Sequence, residues 1–577
     1  MKVKLQLNAV LLWSFLVGQN PHSVFCPGFH TLTKGDNILK KGLISVILIT
    51  IMVLSLLVGC SSQQTNAKKD ENNEKEVKKD SIVMAIGSEP DGGFDPVIGW
   101  GRYGSPLIQS TLVETNADMK IVGDLAKDYT VSEDGLTLTF NLRDDAYFTD
   151  GEQVTANDVV FTYESSKTSN SIVDFTVLDK ISAKDDFTVE MKLKKPESTF
   201  IYSIAKTGIV PEHAYSKTYG DNPIGSGPFK FVQWDKGQQL VLEANEDYYG
   251  TVPEMKKVTV LFMTEDTALV AAKAGQLDVA MTVPSLATDE IKGMTIYKAA
   301  TIDNRGLTLP VVPAEGKKTE GGYPIGNNVT SDIAIRKALS YGINREKLVD
   351  EVLNGYGTPA YTESDGMPWF NEESKIKYDV EKAKKILEEA GWVDKDNDGI
   401  REKGDQKAEF NLIYSSGDSV RQGLALAATA QAKELGISII VEGMSWDEID
   451  KRMYEDAVLM GWGDQNPMET YLLYHSSNKG QPNYYNPENF DNPIVDKYLE
   501  EALKTSDQEK ANELWKKVQW DGKTGTSALG EAPWVWLVNV DHLYYIREGL
   551  DVGEQKIHPH GHAWPLVANL RDWKWTE

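Results

Sequence analysis

Apolar positions recur every second residue through much of the early body of this 577-residue chain, and helical spacing takes over in its second half. Residues 81–86 form a short strand-like run, and residues 129–143 (YTVSEDGLTLTFNLR) alternate apolar and polar around Glu133-Asp134-Gly135. Asp-Gly between two alternating runs predicts a hairpin. Thr155-Ala156-Asn157-Asp158 caps a predicted helix through Val159, Val160 and Tyr163. A strand pair at 186–195 leads to a helix near 198–206. The Gly/Pro loop at 222–227 (NPIGSG) precedes strands at 228–234 and 239–244. Residues 265–275 read as a helix that Gly275 stops before a buried strand at 277–281. Further helices are predicted at 331–341, 344–353, 380–390 and 419–435, and strands at 408–414, 437–442 and 457–461. Such alternation predicts an α/β lobe. No segment repeats another.

Ahead of this body, Lys40-Lys41 precede an apolar-dominated run at 42–58 that leads into Gly59 and Cys60. A charged head, an apolar core and small residues at a cut site are the layout of a secretory signal. Leu57-Val58-Gly59-Cys60 resembles the lipobox of bacterial lipoproteins, which implies that Cys60 becomes the lipidated first residue of the mature chain. The competing reading is one transmembrane helix, for which 17 residues lie at the lower edge. Residues 1–39, with a second apolar patch at 9–18 and Cys26, are over-long for a signal, and the expected start lies just before Lys40. Residues 61–80 hold only Ala67 and Val77 as apolar side chains. They cannot bury enough surface to offset the entropy of ordering, so a flexible tether is expected.

The formal net charge is −26, and residues 1–59 carry five lysines against one aspartate, so their removal would leave about −30. That balance excludes a nucleic-acid partner, which needs a basic footprint. It also excludes lying flat on anionic lipid, so the membrane is reached through the lipid anchor. One acyl chain binds only marginally, which implies several on Cys60. Cys60 is then the only cysteine, and the exported body relies on core burial rather than disulfides. Its length suits two or three packed lobes.

A body tethered outside a membrane is a capture protein or a surface enzyme. There is no Gly-x-Ser-x-Gly, His-Glu-x-x-His or phosphate loop. Gly417-Asp418-Ser419 precedes a predicted helix, where Ser serves as N-cap. Acidic pairs among 86 Asp and Glu, with 14 Trp and 24 Tyr for sugar stacking, keep a surface glycoside hydrolase as the distant alternative.

Four segments carry a resemblance. They are residues 124–164 (DLAKDYTVSEDGLTLTFNLRDDAYFTDGEQVTANDVVFTYE), residues 222–250 (NPIGSGPFKFVQWDKGQQLVLEANEDYYG), residues 335–345 (IRKALSYGINR) and Ala390-Gly391-Trp392 with its acidic loop. Together they resemble family 5 extracellular solute-binding proteins, the peptide and nickel receptors of ABC importers. The resemblance implies a two-lobed α/β clamshell of the periplasmic-binding-protein type (type II) with an extra subdomain in the first lobe. The lobes are expected at 81–309 (subdomain about 122–215) and 310–539, with 540–577 returning to the first. The hinge is expected at Gly306-Leu307-Thr308-Leu309 and at 538–541. A monomer with no required cofactor is expected, taking a small peptide or a nickel chelate to a permease.

Met460-Gly461-Trp462-Gly463-Asp464 resembles the stretch with which peptide-binding members present an aspartate to a ligand α-ammonium. A buried ammonium is costly without a carboxylate partner, and Trp462 would wall the pocket. The structural alternative for Asp464 is a turn aspartate capping Asn466-Pro467 or the next helix. For a ligand carboxylate the candidates are Arg421, near an arginine of dipeptide-type members, and Arg305 beside the hinge. Arg421 also reads as a solvated helical arginine. Tyr103, after Phe94-Asp95-Pro96, is a candidate wall residue.

Asp394, Asp396 and Asp398 with Gly399 and Asp405 follow the first half of an EF-hand loop, which makes a structural Ca2+ a candidate there; a solvated acidic turn is the alternative. Position twelve is Asp405 rather than the bidentate Glu. His558, His560 and His562 would share one face if extended and could then hold a transition metal. Pro559 and Gly561 favour a bent loop equally, with the imidazoles packed near Trp564.

Overall fold

The computed structural model describes residues 79–576 except 88, 170, 482–483 and 561–563. The signal region, Cys60, most of the tether and His562 lie outside the described residues. Three sheets organise the rest. At the centre of a seven-stranded sheet, Ser81–Ala85 runs parallel to both Lys257–Leu261 and Val279–Thr282. Antiparallel strands extend it on both flanks, through Gln239–Ala244 to Phe229–Asp235 on one side and His542–Arg547 to Met294–Ala299 on the other.

The second sheet has six strands in the order Gly357–Pro359, Trp534–Val540, Asn304–Thr308, Ala457–Met460, Glu409–Ser415 and Ser438–Met444. Trp534–Val540 and Asn304–Thr308 are buried at every position. Both faces of those strands are covered, so they lose the polar alternation of a half-exposed strand. Glu409–Ser415 runs parallel to Ser438–Met444, and the helix Ser419–Glu434 makes the crossover between them. Asp418 rather than Ser419 caps that helix, because its carboxylate accepts the N–H of Arg421 at 2.9 Å.

The chain passes between these two sheets at residues 300–303 and again at Asp541. The first crossing therefore falls before Gly306-Leu307-Thr308-Leu309. Gly306 and Leu307 are already paired with Met460 and Leu459 inside the second sheet.

Strands Ala126–Val131, Thr137–Leu142, Thr188–Leu193 and Leu178–Asp185 form a four-stranded antiparallel sheet covered by the helix Ala156–Thr168. The expected hairpin turns at Asp134, whose side chain accepts from Leu136 N–H. The backbone N–H and hydroxyl of Thr155 both donate to Asp158, at 2.9 and 3.0 Å, and this fixes the helix start. This small sheet does not pack on the first sheet alone. Tyr202 meets Trp369 edge-on at 5.8 Å, and the Ser198 N–H donates to the Leu503 carbonyl at 2.8 Å. Its apolar core thus runs on into that of the second lobe.

Candidate functional site

Ala457–Met460 is wholly buried and ends in Gly461-Trp462-Gly463-Asp464. The two glycines let this loop lie directly on the crossing segment. A Cβ on Gly461 would sit 2.1 Å from the Asn304 carbonyl oxygen, and one on Gly463 (φ +142) 2.1 Å from that of Ile302. The Trp462 N–H donates to Asn304 Oδ1 at 2.9 Å, and the Asn304 N–H donates back to the Trp462 carbonyl at 3.1 Å. Gly463 N–H donates to Glu469 at 3.1 Å. The loop is therefore held rigidly at the junction of the lobes.

Its side chains point to chemistry. The Trp462 indole stacks on Tyr485, centroids 4.8 Å apart, and its buried Nε1–H has no acceptor. The Asp464 carboxylate is 47% exposed and accepts from the Lys206 ammonium at 2.5 Å. Lys206 follows the helix Phe200–Ile204, which packs with the four-stranded sheet, so this pair joins parts of the chain 258 residues apart. The capping alternative for Asp464 fails, since Asn466 Oδ1 takes the Met468 N–H at 3.0 Å at the start of the next helix. Burial, then Asp464 and Glu363, push Glu469 well above the usual carboxylate range, so it stays neutral beside Asp464. Tyr103 is exposed under the Arg102 guanidinium, 4.2 Å from its ring. Burial, followed by Glu469, Asp464 and Tyr103, raises the Tyr485 hydroxyl, which puts all four groups in one neighbourhood.

The arginines stand beside this loop. Arg305 is buried and would lie 2.8 Å from a Cβ on Gly461; its Nη1 donates to Asp303 at 2.5 Å. Burial alone would raise Asp303. Arg305, then His560 and His542, together outweigh that burial and hold the carboxyl well below its usual range. Arg421 is not a solvated helical arginine: its side chain is 12% exposed, pairs with Asp418 and lies over the Trp446 ring. Burial and then Arg305 lower Arg421, so the two guanidinium groups sense each other. Each keeps a buried Nε–H without an acceptor. An unsatisfied buried donor costs roughly 1–3 kcal/mol, so these two are open to a ligand acceptor.

The histidines divide. His558 is wholly buried with Nδ1 3.2 Å from His542 Nδ1, and burial followed by His542 pulls it well below its ordinary value, leaving it neutral. His560 binds Asp303 instead. His542, whose Nε2 lies 3.6 Å from Asp303, stands between the two, and His562 is outside the described residues. Among the described residues, the acidic group whose carboxylate oxygens converge is Asp394, Asp396, Asp398 and Glu402; Asp405 is left out. Sequence reasoning missed Lys206, Glu469 and Tyr485. Glu469 carried a weak signal as an acid in the first turn of a helix just after Asp464.

Two α/β lobes joined by paired crossings, with acidic and basic groups gathered at the junction, define a two-lobed solute receptor. Residues 120–484 match bacterial extracellular solute-binding proteins, family 5 (middle), and the chain belongs to that family. It is 33% identical over 491 residues to Protein XP55 of Streptomyces lividans, covering 82% of this chain and 86% of that one. It is 27% identical over 510 residues to the oligopeptide-binding protein AppA of Bacillus subtilis, covering 82% and 90%. The crystal structure of NikZ from Campylobacter jejuni in complex with Ni(L-His) superposes with a TM-score of 0.67 at 25% identity, covering 86% of this chain and all of that one. The family consists of binding proteins, so the chain is a solute-binding protein and not an enzyme.

Proposed function

We propose that this receptor captures small peptides between its lobes and delivers them to the permease of an ABC importer, held at the outer membrane face by lipid on Cys60. One observation carries the peptide assignment. Asp464 already holds an ammonium, that of Lys206, at the lobe junction. A peptide α-ammonium can take that place. The Trp462 and Tyr485 rings would flank the chain, and the Arg305–Arg421 pair supplies donors for a carboxylate at the other end. The oligopeptide-binding AppA supports this reading.

A nickel chelate is the second reading, supported by NikZ and its Ni(L-His). The arginines would suit a chelate's carboxylates, whereas the ammonium already on Asp464 favours a ligand with a free amine. Native mass spectrometry with elemental analysis of co-purified ligand separates the two. Calorimetry with short peptides, free and N-acetylated, completes the test. Preference for the free amine is expected, and stoichiometric nickel with no peptide heat would overturn the proposal.

A further inference from the structure

We propose that the loop at 394–402 binds Ca2+ through Asp394, Asp396, Asp398 and Glu402. Backbone bonds orient the three aspartates: Gly399 N–H donates to Asp394 at 3.1 Å, Asp398 N–H to Asp396 at 3.1 Å, and Ile400 N–H to Asp398 at 2.8 Å. A turn of exposed aspartates would do the same with no ion. Glu402 makes the difference. It is 7% exposed, its Oε2 accepts the Lys395 N–H at 2.9 Å, and its Oε1 is buried with no hydrogen-bond partner. A buried carboxylate oxygen lacking a donor is costly unless it pairs with a charge or coordinates a metal.

One carboxylate oxygen from each of the four residues lies within 4.8 Å of the others. Two oxygens bound to one calcium at 2.3–2.6 Å can be at most about 5 Å apart, so the spacing of the four is compatible with one shared ion. An all-oxygen anionic set on a loop selects a hard cation, and the absence of nitrogen or sulfur from these four argues against zinc or nickel. Magnesium demands tighter octahedral geometry and gives up its waters reluctantly.

Among the described residues, one nearby cation is turned toward the group. Lys407 contacts Asp398 and lies 3.7 Å from Asp396. Arg401 faces Glu388, Lys403 faces Asp332, and the Lys395 ammonium donates to the Gly404 carbonyl. One ammonium against four carboxylates leaves a net negative pocket. Asp405 is excluded because it occupies the exposed turn between the short strands Glu402–Lys403 and Gln406–Lys407. The ion would fasten that hairpin to the loop after the helix Val380–Glu389, at the start of Glu409–Ser415 and away from its Asp418 end. Its role is therefore structural and independent of the solute.

The test uses chelator-stripped protein, calorimetry with CaCl2, and Tb3+ luminescence sensitised by Trp392, two residues before Asp394. Saturable binding is expected, with a Kd on the order of 10⁻⁴–10⁻³ M, as for extracellular calcium modules. Glu402→Gln and, as a milder second variant, Asp396→Asn should each weaken it about tenfold or more, while Asp405→Asn leaves it unchanged. Absence of saturable heat to about 10 mM calcium would overturn the proposal. So would magnesium binding as tight as calcium, or equal losses in Asp405→Asn and Glu402→Gln.

Discussion

Replacing Asp464 by Asn removes the negative charge from the lobe junction while keeping the shape of the side chain. The free protein should hardly notice. The carboxylate is half-exposed and pairs with one lysine, and exposed ion pairs of this kind contribute about 0.2–1 kcal/mol. The liganded protein should notice more. A hydrogen bond between charged groups, once closure removes water, contributes about 1.5–3 kcal/mol. The ligand must first displace Lys206, so the net loss is the difference between the two, about 1–2 kcal/mol, or roughly 5–30-fold in Kd. Calorimetry on wild type and Asp464→Asn, each with one peptide in free and N-acetylated form, reads this directly. The free peptide should lose that affinity and the acetylated peptide should bind both proteins equally. Equal losses for both peptides would refute the reasoning, since the substitution would then act on the loop and not on a ligand charge.

Other substitutions probe the same arrangement. Lys206→Met removes the internal competitor and should tighten a free-amine peptide about 2–5-fold by calorimetry, an effect lost on the Asp464→Asn background. Arg421→Met should weaken peptides with a free C-terminal carboxylate by about 1–2 kcal/mol and leave C-amidated ones unchanged, measured by the same titration. Gly463→Ala would force a methyl against the Ile302 carbonyl and should cost about 2 kcal/mol or more in a denaturant melt. Burial pushes the Glu488 carboxyl from 4.5 up to about 8. The folded chain therefore binds more protons than the unfolded one between those values, and its stability is full below about pH 4.5 and falls as pH rises to 8. Glu488→Gln keeps an acceptor for the Trp534 Nε1–H and should flatten that slope by an amount on the order of 2–5 kcal/mol across the window, read from melts at pH 5 and pH 8.5.

The elements that were legible from sequence are those whose cause is local. The Asp134-Gly135 turn, the Thr155–Asp158 cap and the alternation on either side of them need no distant partner, and the structure places a hairpin and a helix there. Pro493–Lys504 carries such a signal too, an Asn cap followed by proline at the first turn, and Gln508–Gln519 follows it behind an Asp cap. Asn304–Thr308 misled for the opposite reason. It lies beside the crossing in sequence yet is central in the second sheet, and only its pairing with Ala457–Met460 and Trp534–Val540 reveals that.

The candidate site divides along the same line. Trp462 and Asp464 could be picked out because the stretch Met460-Gly461-Trp462-Gly463-Asp464 resembles that of peptide-binding family members and a ligand ammonium needs a carboxylate. Lys206 could not, because nothing within twenty residues of it refers to position 464; only the fold brings its ammonium there. The arginines show how a residue's type can be read while its state cannot. Arg421 in a helical run looks solvated, and becomes buried only because Asp418 caps the same helix and Trp446 covers it. Charged groups at a lobe junction are costly to assemble, and each here is offset by a partner: Asp303 and Asp418 are local ones for Arg305 and Arg421, whereas Lys206 reaches Asp464 from a distant segment. The first pair is buried and the second largely so. The third is half-exposed and exchangeable, so Asp464 is the group a charged solute can engage without leaving a buried charge behind.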